Sequence, residues 1–429
     1  MNKLLCVISS PLDTFSGYGK RSSDFIKALI KIKGEEWDIK LISQRWGDTP
    51  FGALDDNNPE DVDLKQRIVH GIEAQPDIWI QITVPNEFQT VGKFNIGISA
   101  LVETNIVPLE LLEGMNKMNL NIVSSEHAKN IAKGTSWDKI DEKTKQKTAQ
   151  VTLQKPVEVL FEGIDTKIYQ NKNVEPLDLS FIKEEFCFLS VGHLLSGVLE
   201  LEDRKMFGVT IQSFLNAFKN KKIKPALILK ASTGGYSHMD EETTMRVIDD
   251  FVKKMKGNDL PSIYLIHGEL TEAEMNGLYN HPKVKAYINV GNEGYGRPEL
   301  EFSAATGKPV IASPWGGHVD FLDREFTMMT AGELLQVHPV AANQFLLKEG
   351  NWFKPNPISL IGNMKEIYTN YSKHVDNGKR LGYRCKTNFN FEKMCEKLDS
   401  ILKDHIPKMS VPVPIQLPKI AKLNLVDSK

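Results

Sequence analysis

The chain has 429 residues, of which 41% are apolar and 25% charged, with a formal net charge of −2 at pH 7. That length exceeds what one core serves and points to two domains, while the composition excludes disordered and fibrous proteins and the near-zero charge excludes a global attraction to nucleic acid or to an anionic membrane. Apolar runs fall short of the roughly 18 residues that span a bilayer, and Cys6, Cys187, Cys385 and Cys395 form no Cys-x-x-Cys pair, so a soluble protein in a reducing, cytoplasmic setting is expected, with neither a disulfide framework nor a zinc site.

The opening apolar run breaks at Ser9-Ser10-Pro11 and reads as a first strand rather than a secretory leader. Thr14-Phe15-Ser16-Gly17-Tyr18-Gly19-Lys20-Arg21-Ser22 follows, ahead of an amphipathic helix ending near Ile32, and glycines such as Gly17 and Gly19 let a loop come close to a phosphate. A P-loop needs Gly-x4-Gly-Lys-Ser/Thr, yet Thr14 holds the first glycine's place and Arg21 follows Lys20. The dinucleotide fingerprint fails as well, because Ser22 ends the motif and residues 40–44 offer no acid at the end of the second strand.

Asp61-Val62-Asp63 fits a short metal-binding pattern, but it sits in the polar stretch 55–65 and reads as a solvated helix start, so no metal is expected. Runs at 78–83, 121–124 and 157–161 extend the first series of strands. Glu103 follows a strand; it is either a solvated loop acid or a carboxylate able to orient an incoming hydroxyl. Lys129, Lys133, Lys139, Lys143, Lys145, Lys147 and Lys155 cluster further on, diluted by Asp138, Asp141 and Glu142, and a solvated helical face explains them as well as a phosphate-binding surface does.

The polar connection at 171–176 places a domain boundary near residue 175, giving an N-terminal domain over 1–175 and a second over 176–385. Residues 386–405 read as a helix able to cross back, and 406–429 as a Pro-spaced tail. Strands are expected at 186–191, 226–230, 262–267, 286–290 and 309–313, so each half is a doubly wound α/β layer whose ligands sit beyond the carboxyl ends of the strands. Within this half lie Ser190-Val191-Gly192-His193, then Asp203-Arg204-Lys205-Met206-Phe207-Gly208, then His267-Gly268-Glu269-Leu270. The densest signal is the run from Gly291 to Pro309. Gly294 and Gly296 free the backbone for close approach, Pro298 suits a first helical turn, Gly307 suits the position after the last, and Glu293 and Glu301 flank the loop as acceptors for hydroxyl groups.

That run, with Glu-x7-Glu around Gly-Tyr-Gly-Arg-Pro and Ala-Ala-Thr-Gly-Lys-Pro-Val-Ile-Ala-Ser after it, resembles the signature of retaining GT-B glycosyltransferases of the family-four kind, and Trp315-Gly316-Gly317-His318 extends the likeness. The resemblance covers most of residues 4–322, more weakly in the first half, at 103–108, 123–125 and 162–165. It implies two Rossmann-like domains facing across a cleft, a UDP- or GDP-linked sugar as donor, and catalysis without a metal or other cofactor. Glu293 would then meet the transferred sugar, the amides of Gly294, Tyr295, Gly296 and Arg297 the sugar and diphosphate, and Glu301 the ribose. Lys205 would neutralise the diphosphate, joined by Arg204, since His193 stands where the family carries arginine; Gly17 and Gly19 would approach it from the other domain, and the backbone from His267 to Leu270 would hold the base. Arg297 replaces a usual aliphatic residue and reads as solvated.

Residues 10–30 and 203–214 look like phage-encoded members, some of which glycosylate hydroxymethylated bases in DNA. That likeness implies double-stranded DNA as acceptor in a host cytoplasm. A carbohydrate or small-molecule acceptor is the alternative, and a nucleotide-sugar-binding protein without activity is another.

Overall fold

The computed structural model describes residues 3–141, 143–255 and 259–409. Two six-stranded parallel sheets organise them. The first is built from β1 (Leu4–Ser10), β2 (Trp37–Ser43), β3 (Ile78–Ile82), β4 (Phe94–Ser99), β5 (Leu120–Val123) and β6 (Val157–Val159), in the spatial order β2-β1-β3-β4-β5-β6. The second uses β7 (Cys187–His193), β8 (Ala226–Ser232), β9 (Ile263–Ile266), β10 (Val284–Asn289), β11 (Val310–Ala312) and β12 (Met328–Met329), in the order β9-β8-β7-β10-β11-β12. Helices cover both faces, which is why the central strands are near-continuous apolar runs, as in Ile78-Trp79-Ile80 and Ala226-Leu227-Ile228-Leu229.

Strand order reverses between β1 and β3 in one sheet and between β7 and β10 in the other, and such reversals open crevices at the carboxyl ends of the strands. The first crevice receives the start of helix α1 (Gly17–Lys33); the second receives the end of β7 at His193 and the loop after β10 that leads into helix α4 (Arg297–Thr306). Between these helices in sequence lie α2 (Glu126–Gly134) and α3 (Phe207–Phe218).

The chain recrosses at its far end. After α5 (Tyr371–Asn388), which packs on α4, helix α6 (Phe391–His405) lies on the first sheet's layer, and its Met394, Cys395, Leu398, Ile401 and Leu402 join Phe25, Ile26 and Leu29 of α1 in one core. Burying each such side chain stabilises by about 1.5–3 kcal/mol. Residues 410–429, most of the Pro-spaced tail, lie outside the described residues. Among the described residues no helix is long and apolar enough to cross a membrane.

Two sequence expectations are corrected here. Lys139 and Lys147 belong to an antiparallel hairpin, Ser136–Ile140 with Lys147–Thr152, whose turn carries Lys143 and Lys145, so only Lys129 and Lys133 share a helical face. Both hairpin faces are largely polar, which leaves no period-two apolar signal to read. Asp61, expected to be solvated, is 8% exposed on helix Pro59–Gln66; it pairs with Lys27 at 2.6 Å and accepts the Asp55 amide at 3.0 Å, while Asp63 pairs with Arg67.

Candidate donor-binding site

The turn that carries the cations is built around a buried acid. Asp203 is fully buried, and its carboxylate accepts the amides of Phe207 at 3.0 Å and Gly208 at 3.1 Å, satisfying donors left open at the start of α3. Met206 closes the turn in the left-handed region, with φ 53°. The turn then presses onto the loop after β10: the Asn292 amide donates to the Arg204 carbonyl at 2.9 Å, and a Cβ at Gly291 would lie 2.7 Å from the Lys205 carbonyl oxygen. Glycine at 291 is what permits that approach.

Lys205 is thereby aimed at Glu293, with Nζ 2.5 Å from Oε1 and 2.6 Å from Oε2. The Asn289 side-chain amide donates to Glu293 Oε1 at 2.8 Å. Burial raises the Glu293 pKa, but Lys205 and Arg204 outweigh it, and the group is held below the usual carboxylate range, ionised. Arg204 itself reaches across the cleft, donating to Glu103 Oε1 at 2.6 Å and to the Asn292 carbonyl at 3.0 Å. Glu103 is neither free nor solvated; it is the far half of an inter-lobe ion pair.

The glycine loop after Glu293 is clasped by the first lobe. Ser125 Oγ donates to the Gly294 carbonyl at 2.8 Å, and a Cβ on Gly294 would sit 3.3 Å from the Ala100 carbonyl. Tyr295, 4% exposed, donates its hydroxyl to the Glu162 carbonyl at 3.1 Å. Gly296, at φ 92°, precedes the first turn of α4, where Pro298 sits, and Gly307 at φ 62° ends the helix. The unpaired amides of that first turn form a natural anion seat.

Arg297 is the largest departure from expectation. Its side chain is 12% exposed rather than solvated. Nε donates to Glu301 at 2.8 Å, while one terminal nitrogen forms ion pairs with Asp24 of α1 at 2.7 Å and Glu162 at 3.8 Å. Lys20 adds a second bridge, 3.0 Å from Asp24 and 2.8 Å from Glu272. Glu301 is therefore engaged on both oxygens, the other accepting from the Tyr279 hydroxyl at 3.2 Å. Burial raises the Glu301 pKa, with Arg297 opposing it.

The other expected residues are placed as follows. His193 ends β7 and opens to the cleft, with Nδ1 3.1 Å from Ser232 Oγ; desolvation and the cations Lys205, Arg204 and Lys230 lower its pKa, so it is neutral near pH 7. Gly17 begins α1 with open space where a Cβ would be, whereas a Cβ on Gly19 would lie 2.0 Å from the Thr14 carbonyl, so Gly19 serves its own loop. His267 follows β9 with its ring 6.2 Å from Tyr236, Gly268 gives its carbonyl to Lys230 at 2.6 Å, and Leu270 packs against the second lobe's core. A cavity of about 500 Å³ opens beside Lys20, Asp24, Glu272 and Arg297, on the flank of the cleft away from Glu293. Sequence reasoning gave no role to Asp24, Asn289 or Glu299, and marked Glu162 only as part of the resemblance at 162–165. Neither Asn289 nor Glu299 stood out locally, since Lys285 shares the strand and Ser303 and Thr306 share the helix face.

No protein-family model and no curated protein matches this sequence. Solved structures do match. A sucrose-phosphate synthase from Thermosynechococcus elongatus is 11% identical, with 94% of this chain and 98% of that one covered at a TM-score of 0.59. A glycosyltransferase from Rickettsia africae is 14% identical, with 95% and 100% covered at 0.55. A structure from E. coli described as trehalose-6-phosphate bound with UDP-2-fluoro glucose is 11% identical, with 94% and 100% covered at 0.56. Across nearly its whole length, then, this chain has the GT-B fold.

Proposed function

We propose that the chain is a retaining glycosyltransferase that moves a sugar from a UDP- or GDP-linked donor to a hydroxyl acceptor. The observation that carries this reading is the Lys205–Glu293 pair, set at the strand-order reversal of the second sheet beside the open amides of α4. That arrangement supplies a cation and a helix start for a diphosphate and a carboxylate for sugar hydroxyls within one crevice. As the bond from sugar to diphosphate breaks, negative charge grows on the departing oxygen, and Lys205 and Arg204 are the preorganised charges that favour it. No side chain is assigned as nucleophile, and neither a metal nor another cofactor is required in this scheme.

For the acceptor we favour a carbohydrate or other small hydroxyl compound over duplex DNA. Lys129, Lys139 and Lys147 are each taken by a carboxylate, from Glu158, Glu113 and Asp138, which reduces the charge the cluster offers to phosphates. The test is mass spectrometry of reactions pairing UDP- and GDP-sugars with carbohydrates, small alcohols and hydroxymethylated or plain DNA. Glycosylated carbohydrate or alcohol is expected. Sugar appearing on hydroxymethylated DNA overturns the acceptor, free sugar alone overturns the transferase, and donor binding without turnover establishes a non-catalytic binding protein.

A further inference from the structure

Glu299 lies in the first turn of α4 with no exposed surface, close enough to Glu293 for their charges to interact. The two carboxyl groups share one donor: the Asn289 side-chain amide gives one hydrogen to Glu293 Oε1 at 2.8 Å and the other to Glu299 Oε1. Asn289 is itself locked, because its carbonyl oxygen accepts the Gly291 amide at 2.9 Å, which settles which end of the carboxamide faces the acids. Both hydrogens of that amide are thus spent on the two acids, one on each. The second oxygen of Glu299 has no hydrogen-bond partner among the described residues, and a buried carboxyl tolerates that far better as a neutral acid than as an anion.

We propose that Glu299 is a positioning residue: held as a neutral acid, it anchors Asn289 against Glu293, fixes the direction of the donor-site carboxylate, and turnover falls when Glu299 ionises. This rests on reading Glu293 as part of the donor site. Two ionised glutamates on one amide, with Lys205 as the nearby cation, would repel at short range and pull Glu293 off its line. Burial and the neighbouring Glu293 charge both push Glu299 above the ordinary carboxylate range, in keeping with a neutral group. The groups facing Glu299 are Glu293, Lys205, Tyr287 on β10, Tyr279 on helix Glu272–Asn280, and His318, whose Cβ flanks Gly296. Burial raises both phenols and lowers the imidazole, so these three stay neutral near pH 7, and the Glu299→Gln comparison separates Glu299 from the charged groups beside it.

The experiment has an arm that needs no turnover. Infrared spectra of the whole chain, native against Glu299→Gln, should show the loss of one protonated-carboxyl stretch at neutral pH; an unchanged spectrum overturns the neutral acid. In donor-turnover assays the native kcat is expected to fall on the alkaline side, and Glu299→Gln to lose that fall, with kcat affected and donor KM little moved. Asn289→Ser, which breaks the shared amide, should cost about tenfold in kcat. An alkaline fall of the same size in Glu299→Gln, or unaltered kcat in Asn289→Ser, overturns the proposal. Should the native chain turn over no nucleotide sugar, it is the transferase reading that fails, while the infrared result still decides the protonation of Glu299.

Discussion

Glu293 and Glu301 stand eight positions apart on one loop and helix, and both are buried acids with a cation beside them, yet they are wired differently. Glu293 is held entirely by its own lobe, through Lys205 and Asn289. Glu301 is held by Arg297, whose other end grips Asp24 on the first lobe. One acid is thus tied to Lys205 and Asn289 of its own lobe and the other to the junction between lobes. The motif's two carboxylates therefore sit in two different networks, and substitutions should separate them.

The sharpest break is at Lys205. Lys205→Met leaves Glu293 buried beside Glu299 without its cation, and turnover should drop by about 10²–10³, with a stability loss of about 3 kcal/mol in denaturant unfolding. Because the Glu293 pKa is depressed in the fold, the pair's stabilisation is complete above the ordinary glutamate value of about 4.3 and is lost only as pH falls through the lowered one. The melting temperature of the native chain should accordingly lose nothing of this pair's contribution between about pH 7 and about pH 5.5, while in Lys205→Met burial raises Glu293, so the deficit should narrow as pH falls.

Arg297→Leu tests the other acid. It leaves Asp24, Glu162 and Glu301 without the arginine they share, so the lobes should separate, seen as a larger radius in solution scattering, and donor KM should rise about tenfold with a smaller change in kcat. Equal losses in kcat for Lys205→Met and Arg297→Leu would erase the distinction between the two ends.

Gly317→Ala is a milder probe. Its Cβ would fall 1.9 Å from the Gly294 carbonyl oxygen, the atom that Ser125 bonds, and the forced shift should cost about 1–3 kcal/mol by thermal melt. The smallest effect is expected at Glu103→Gln. This pair is one-fifth exposed, so removing its charge should cost under about 1 kcal/mol and change kcat less than threefold.

Much of this was legible in the sequence because parallel strands covered on both faces are continuous apolar runs; β1, β3, β8 and β10 all declare themselves that way. β4 does not, since Asn95, Gly97 and Ser99 interrupt it for reasons visible only in three dimensions: Asn95 caps the preceding turn, and Gly97 makes room for the Phe88 ring. The Glu293 loop was legible because glycine, proline and acid fall at fixed offsets around a helix start. The partners of Arg297 were not, because Asp24 and Glu162 come from another part of the chain, and pairing across lobes leaves no local period. Asn289 and Glu299 were not legible either, because Lys285 in the same strand and Ser303 and Thr306 on the same helix face make a polar residue there ordinary.

The position of α6 has a consequence for how the protein is made. Its Met394, Leu398 and Ile401 fill the core beneath α1, and the Met394 sulfur accepts the Gly163 amide. While the ribosome is still translating the second lobe, the first has all of its strands but not the helix that seals Phe25 and Leu29 from water. Burial of that face must wait for residues 391–405, and a nascent chain stalled before residue 391 carries an oily furrow that a chaperone has reason to shield.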